Sequence, residues 1–198
     1  ASYFHAVGVN VTVVEMQEEI LGGIDAEIVH QLKSSLPRVD FILGAKVTKI
    51  DPSVVTINSS GGQHKKPADV VLLATGRVPN TEGIGLEEVG VVFDNKGIIT
   101  DEHMCTNVAG LYAVGDVTGR SLLAHAALRM GEVAVACISE SRPSRDQMRF
   151  NAVPWVVYTL PEIAGVGLTE AAAHSSGRHV VVSKIPLTTN GRYLAENL

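Results

Sequence analysis

Three short apolar runs most constrain how this chain can fold. Residues 9–15 (VNVTVVE) and 111–116 (LYAVGD) each end in an acidic residue, and the nearly continuous apolar run 69–75 (DVVLLAT) is followed by Gly76. Such runs, rich in β-branched residues and bounded by turn residues, are typical of parallel strands buried on both faces of a sheet. The sequence therefore predicts an α/β fold, whose ligands bind beyond the carboxyl ends of the strands.

Helical and short-strand patterns fill the rest of the chain. Helices are predicted at 1–7, 25–36, 122–140 and 169–174, with Gly8 ending the first and Asp25 as the candidate N-cap of the second. Shorter strands are predicted at 41–43, 45–50, 54–58 and 153–159, the middle two forming a hairpin or small meander. Residues 78–107 are predicted to be a crossover between two compact units, and residues 141–145 a boundary loop.

Charge and hydropathy narrow the classes of partner. The chain of 198 residues has a formal net charge of -5, which argues against a nucleic-acid partner because that affinity rests on basic patches. Its apolar runs are far shorter than the ~20 residues that span a bilayer, so no membrane helix is expected. The N-terminal residues lack a secretory signal pattern, and we expect a cytoplasmic setting.

The two cysteines, Cys105 and Cys137, stand 32 positions apart. That spacing matches neither a disulfide framework nor a metal site built from paired ligands. The pattern therefore predicts two separate thiols in the core or on the surface.

Glu15 is the first candidate binding residue. It ends an apolar strand that follows a helix, where a carboxylate accepts hydrogen bonds from the ribose hydroxyls of a bound dinucleotide. The next four residues, Met16-Gln17-Glu18-Glu19, include no Lys or Arg to receive a 2′-phosphate, so the pattern favours NAD(H) over NADP(H). The alternative is that Glu15 is a solvated strand cap.

Gly76 is the second candidate, because a glycine at a strand end lets the backbone approach a ligand closely. The alternative is an ordinary turn between a strand and a loop.

Asp116 is the third candidate, and it lies shortly before the start of a predicted helix. At Leu122, Leu123, Ala124 and His125, free backbone N–H groups and the helix dipole favour electron-rich ligand atoms. A carboxylate acceptor for a polyol and a group of donors for a reduced ring would then lie side by side. Alternatively, Asp116 is a turn former and His125 a helix-surface residue.

Four motifs carry a resemblance to a known family. VTVVE, ATGRVPNT, LYAVGDV with LAHAALRMG, and VYTLPEIAGVG occur in the order and approximate spacing of the pyridine nucleotide-disulfide oxidoreductases. The chain resembles that family over nearly its whole length, and most of all its dihydrolipoamide dehydrogenase branch.

The resemblance implies the Rossmann-like FAD/NAD(P)-binding fold of the disulfide reductases, incomplete here, with the start of an α+β dimerisation domain. It assigns residues 1–80 to the NAD-binding domain, 81–148 to the returning part of the FAD-binding domain and 149–198 to the dimerisation domain. It also places Ala1 just after the family's second Gly-rich fingerprint, so the chain is expected to be an internal fragment.

By position in the family, Glu15 resembles the NAD ribose ligand, and Val47 and Gly76 resemble backbone or apolar contacts to NAD. Asp116 resembles the FAD ribitol ligand, and residues 122–125 resemble the segment beside the flavin pyrimidine. No catalytic and no metal-binding residue is expected in this chain. The family's C-x₄-C pair lies in the N-terminal FAD domain, and its His with a Glu partner lies near the C-terminus.

The activity that the resemblance implies is electron transfer from a dithiol such as dihydrolipoamide, through an enzyme disulfide and FAD, to NAD⁺. The implied partners are a small-molecule or lipoyl-domain dithiol, a second copy in a homodimer, and a 2-oxo acid dehydrogenase complex. We expect the 198-residue chain alone not to catalyse dithiol oxidation.

Other readings remain open. Within the family, they are a mercuric, glutathione-type or coenzyme A disulfide reductase or an NADH oxidase. Outside this activity, the chain could be a non-catalytic nucleotide-binding or interaction domain. One position departs from the family, which commonly has an acidic or amide residue where this chain has Met130.

Overall fold

The computed structural model describes residues 1–139 and 146–195. Helices in this part of the chain are α1 (Ser2–Ala6), α2 (Ala26–Ser34), α3 (Ala124–Ser139), α4 (Glu170–Ser175) and α5 (Gly191–Ala195). Strands are β1 (Val11–Val14), β2 (Val39–Ile42), β3 (Lys46–Asp51), β4 (Val54–Ser59), β5 (Gly62–Pro67), β6 (Phe93–Asp94), β7 (Gly97–Ile98), β8 (Trp155–Val157) and β9 (Ile163–Gly165). Short 3₁₀ helices occur at Gly115–Thr118, Phe150–Ala152 and Leu187–Thr189. None of the helices in the described ranges is long and apolar enough to cross a bilayer.

The first unit is a β1–α2–β2 crossover. β1 and β2 pair in parallel, with Val11 opposite Val39, and a parallel pair needs a connection that returns the chain to its starting edge. Helix α2 makes that return, because its apolar stripe buries Leu32 and Leu36 against the two strands. The carboxyl ends of β1 and β2 therefore lie at the same edge.

An antiparallel meander of β3, β4 and β5 follows, as the turn sequence predicts. Its buried residues Ala45, Val55 and Ile57 pack with Val14 and Ile42, which come from the parallel pair. This shared apolar cluster fixes the start of β3 beside the ends of β1 and β2.

The largest buried cluster surrounds α3. Met130 on this helix is fully buried, and its Sδ accepts a hydrogen bond of 3.1 Å from the backbone N–H of Gly115. The buried members of the cluster are Met104, Ala126, Met130, Val133, Ala134 and Met148. Three stretches that are distant in sequence are thereby packed together.

The apolar run 69–75 is not a strand, so that prediction is wrong for this chain. Its backbone forms no sheet pairing, and Val70, Leu72 and Leu73 are 82%, 70% and 73% exposed. The pattern indicates that a segment is suited to burial, but a buried strand also needs neighbours, and no described strand lies alongside this one.

Residues 111–116 also do not form a buried parallel strand. Tyr112 makes a single antiparallel bridge with Cys105, and the Ala113 N–H donates to the Met104 carbonyl oxygen at 3.1 Å. Gly115 then takes a φ of 78°, which turns the chain into the 3₁₀ helix. This positive φ favours glycine and ends the extended segment one residue before Asp116.

Most predicted helices are present with shifted ends. The predicted helix 122–140 begins at Ala124 and runs to Ser139, and Glu140 and the predicted boundary loop 141–145 lie outside the described residues. Asp25 precedes α2 as predicted, but its side chain accepts the N–H of Glu170 at 2.9 Å instead of capping α2. The carboxylate therefore joins α2 to the start of α4.

Met130→Ala is expected to lower the free energy of unfolding by about 2–5 kcal/mol. The substitution leaves a cavity in the α3 cluster and removes the acceptor of the buried Gly115 N–H. Urea unfolding followed by circular dichroism measures the change. The matched control is Leu128→Ala on the same helix, where the side chain is 70% exposed and the expected change is within about 0.5 kcal/mol. Equal losses in the two variants would contradict the assignment of Met130 to the core.

Candidate functional site

Glu15 lies at the shared carboxyl edge of β1 and β2. Its backbone N–H donates to the Ile42 carbonyl oxygen at 3.0 Å, and its own carbonyl oxygen accepts the Ala45 N–H at 2.9 Å. A third bond joins the Gly44 N–H to the Gln17 carbonyl oxygen at 2.9 Å. The loops that follow the two strands are thus bound to each other, and the position of Glu15 is fixed.

The side chain of Glu15 is half-buried. Its Oε1 accepts the backbone N–H of Gln17 at 2.9 Å, and its second oxygen has no partner among the described residues. A cavity of about 340 Å³ opens at the same edge, lined by Met16, Gly44, Ala45, Lys46, Asn58, Ser59 and Gly62. Glu15 does not itself line this cavity, but its neighbour Met16 does.

Charges around this edge are mostly acidic. Lys33 of α2 lies 3.0 Å from a carboxylate oxygen of Glu19, and this hydrogen-bonded salt bridge lowers the pKa of Glu19 below its ordinary value. Lys46 is the one basic side chain lining the cavity within the described ranges. Sequence reasoning missed Lys46 because it considered only the residues directly after Glu15, whereas β3 brings Lys46 from the next loop.

The two other residues predicted at this site have different surroundings. Val47 is half-buried, pairs with Ile57 across the meander, and packs in the cluster that contains Val14. Gly76 is exposed at a φ of 98°, and a Cβ built on it would meet no atom within 4 Å. Gly76 is not among the residues lining the cavity, so in this chain its glycine serves the backbone conformation.

Asp116 begins a second site. Its backbone is held on both sides, since the Thr118 hydroxyl donates to the Gly115 carbonyl oxygen at 2.8 Å and the Gly119 N–H donates to the Asp116 carbonyl oxygen at 3.0 Å. The carboxylate of Asp116 is exposed and has no partner within the described part of the chain. A fixed backbone therefore presents a free acceptor.

The start of α3 lies next to this acceptor. A Cβ built on Gly115 would lie 3.4 Å from the Ala127 side chain, so the 3₁₀ helix packs on the first turns of α3. The first helical bond runs from the Ala127 N–H to the Leu123 carbonyl oxygen at 2.9 Å. The preceding N–H groups have no partner inside the helix, and Leu123 has no side-chain acceptor to cap them.

The predicted residues at the helix start differ in exposure. Leu122 and Ala124 are exposed, while Leu123 packs against the α3 cluster. The His125 Nε2–H donates to the carbonyl oxygen of Pro154 at 2.7 Å, which joins α3 to the segment before β8. His125 therefore has a structural partner that the sequence did not indicate.

A second cavity, of about 430 Å³, lies on the other side of His125. Its lining residues are His125, Ala126, Arg129, Asp146, Gln147, Met148, Arg149, Ala152, Val153 and Pro154. Arg129 forms ion pairs with Glu132 and Asp146, and hydrogen bonds to both carboxylates raise its pKa above the ordinary value. Sequence reasoning did not identify this cavity, because its lining comes from α3 and from residues that lie beyond its end.

Cys105 and Cys137 are neighbours in the structure, with their Sγ atoms 3.8 Å apart. The sequence predicted separate thiols, and the spacing of 32 positions contains no signal for their contact. No group of three or more His, Cys, Asp or Glu side chains suited to a metal ion occurs among residues 1–139 and 146–195.

Comparisons with known proteins agree with this architecture. The family model for pyridine nucleotide-disulphide oxidoreductases matches residues 1–131, and the model for their dimerisation domain matches residues 153–197. Dihydrolipoyl dehydrogenase of Chlamydia muridarum is 37% identical over 198 residues, which is 98% of this chain and 42% of that protein. The mitochondrial dihydrolipoyl dehydrogenase of Pisum sativum is 39% identical over 96% of this chain and 39% of that protein.

A solved structure supports the same relationship. LpdA from Mycobacterium tuberculosis superposes with a TM-score of 0.87 at 28% identity, covering 100% of this chain and 43% of that one. The chain therefore spans less than half the length of these relatives. The predicted fold class is confirmed: the disulfide reductase type of FAD/NAD(P)-binding fold, followed by the start of a dimerisation domain. With four ordered motifs, two matching family models and this superposition, the chain belongs to the pyridine nucleotide-disulphide oxidoreductase family.

Proposed function

We propose that the protein transfers electrons from a dithiol of the dihydrolipoamide type to NAD⁺ through FAD, and that this chain supplies residues to both nucleotide sites. The observation that carries the proposal is Asp116. Its unpartnered carboxylate lies on a fixed backbone beside the free N–H groups at the start of α3. The family and the dihydrolipoyl dehydrogenase relatives support the same reaction class.

The second site fits the flavin nucleotide. A ribitol chain presents hydroxyl donors, which a free carboxylate such as that of Asp116 accepts. A flavin ring presents oxygen and nitrogen acceptors at its pyrimidine end, which the N–H groups near Leu122, Leu123, Ala124 and His125 are suited to bind. FAD, when bound, supplies the two-electron chemistry that links the dithiol to NAD⁺.

At this site the chain's own residues bind and orient. Met130 holds the Gly115 N–H, Gly115 positions Asp116, and Asp116 fixes one end of the ligand. The dipole of the 16-residue helix α3 places partial positive charge at its start, where it stabilises negative charge on a neighbouring ring.

The first site fits the nicotinamide nucleotide. Glu15 has a free carboxylate oxygen for a ribose hydroxyl at the edge where open α/β sheets bind ligands. Lys33 is paired with Glu19 and does not line the cavity, and Glu15 repels a 2′-phosphate, so NAD(H) is the preferred nucleotide. Lys46 is the competing feature, because it is a cation at the same cavity. Val47 supports the site by packing beneath it, and Gly76 is assigned to NAD by its position in the family.

The remaining assignments follow from the family. Residues 1–80 are proposed as part of the NAD-binding domain, 81–148 as part of the FAD-binding domain and 149–198 as part of the dimerisation domain. We infer that the complete protein is a cytoplasmic homodimer that accepts its dithiol as a small molecule or on a lipoyl domain, the latter within a 2-oxo acid dehydrogenase complex.

Glu15→Arg in the holoenzyme is expected to weaken NADH binding about 10- to 100-fold, because hydrogen bonds to a charged group contribute about 1.5–3 kcal/mol. NADPH binding should strengthen in the same variant, since a guanidinium can pair with the 2′-phosphate. Titration of protein fluorescence with each nucleotide measures both affinities.

The matched control for that experiment is Glu18→Arg, which makes the same charge change three residues further along the same loop. It should shift both affinities in the same direction and leave their ratio nearly unchanged. An unchanged ratio in Glu15→Arg, or an equal change in both variants, would exclude Glu15 as the ribose ligand.

Asp116→Ala in the holoenzyme is expected to weaken FAD binding about 10- to 100-fold, through loss of hydrogen bonds from the ribitol to a charged acceptor. Flavin absorbance per protein after gel filtration reports the loss, and circular dichroism confirms that the fold is intact. Asp116→Asn should retain part of the affinity because an amide oxygen still accepts. The exposed Asp69→Ala serves as the control and should bind FAD normally. Full flavin content in a folded Asp116→Ala would contradict the assignment.

A further inference from the structure

Cys105 and Cys137 form a thiol pair that the proposed nucleotide sites do not use. Their Sγ atoms lie 3.8 Å apart, and the Tyr112 hydroxyl lies 3.9 Å from the Cys137 Sγ. Cys105 is held by its antiparallel bridge to Tyr112, and Cys137 lies near the C-terminal end of α3. Two independently packed segments thus bring the sulfur atoms face to face.

The separation is suited to a covalent bond. A disulfide needs an S–S distance of about 2.05 Å, so the two sulfurs must approach by roughly 2 Å. Rotation about the Cα–Cβ bonds moves a sulfur atom by that amount without moving the backbone. Both residues are half-buried, so a small oxidant can reach them, while a large protein surface cannot readily do so.

The surroundings favour slow, regulated oxidation over rapid turnover. Burial, the hydrogen bond to the Cys137 thiol and the nearby charge of Asp101 raise the pKa of the Cys105 thiol to about 11. Since the thiolate is the reactive form, Cys105 is almost entirely unreactive at neutral pH. A thiolate formed at Cys137 would accept hydrogen bonds from the Cys105 S–H and the Tyr112 O–H, which makes Cys137 the site of first attack.

We propose that Cys105 and Cys137 form a reversible intrachain disulfide when the protein meets a low-molecular-weight disulfide such as oxidised glutathione. The Cys137 thiolate attacks one sulfur of oxidised glutathione, forming a mixed disulfide and releasing one glutathione thiolate. Cys105 then loses its proton and attacks the Cys137 sulfur, which releases the second glutathione. Two thiols are oxidised, one small disulfide is reduced to two thiols, and both protons end on glutathione.

The bond would cross-link two segments of the α3 cluster. It joins the loop that contains Cys105 to the helix whose first turn lies beside Asp116, and it closes a chain segment of 32 positions. Such a closure restricts the unfolded chain and therefore raises the thermal stability of the oxidised protein. This inference concerns a modification site and stands independently of the proposed function.

The test uses the full 198-residue chain, reduced, desalted and incubated with excess oxidised glutathione. Intact mass spectrometry after acid quenching should show the loss of two hydrogens and no retained glutathione. Trypsin digestion without reductant should link peptide 97–120 to peptide 130–145, and dithiothreitol should reverse both changes. The melting temperature of the oxidised chain should be several degrees above that of the reduced chain.

The variants Cys105→Ser and Cys137→Ser are the matched controls. Each retains one thiol and cannot close the bond, so each should gain one glutathione, lose no hydrogen pair and show no rise in melting temperature. Wild-type protein that gains glutathione on both cysteines, stays unmodified, or forms only intermolecular dimers would overturn the proposal.

Discussion

The packing around Met130 is the interaction on which most of the second half of the structure depends. A fully buried thioether accepts the Gly115 N–H, while the same side chain contacts residues from both flanks of α3. A backbone N–H buried without a partner is costly, so the acceptor matters as well as the volume. The family commonly has an acidic or amide residue at this position. Methionine retains an acceptor there without introducing a charge or an amide that would itself need further partners in the core.

The edge formed by β1 and β2 depends on a comparable economy of backbone bonds. Parallel pairing places both carboxyl ends together, and the following loops satisfy each other through Glu15, Gln17, Gly44 and Ala45. One carboxylate oxygen of Glu15 is used to hold its own loop, and the other is free. The residue is therefore both a local structural element and an available acceptor, so the solvated-cap interpretation and the ligand interpretation describe different atoms of the same side chain.

The success of sequence reasoning varied with the range of the interaction involved. Local features were predictable: Gly8 ends α1, Asp25 precedes α2, and the Ser59 to Gly62 turn joins β4 to β5, because each depends on neighbours within a few residues. The burial of residues 69–75 was not predictable, because an apolar pattern does not specify which strand lies beside it. The side-chain roles of Asp25 and His125 were missed for the same reason, since their partners Glu170 and Pro154 are far along the chain.

The sequence by itself determined the family, the order of helices and strands, and the positions of Glu15 and Asp116 at points where the chain turns. These properties are set by short-range chemistry and by motif order, which a linear reading contains. Only the tertiary structure decided that Lys46 faces the cavity near Glu15, that Met130 holds the backbone before Asp116, and that two cysteines 32 positions apart come within 3.8 Å. Those contacts arise from the packing of whole segments against one another, and the spacing of residues along a chain contains no record of which segments will meet.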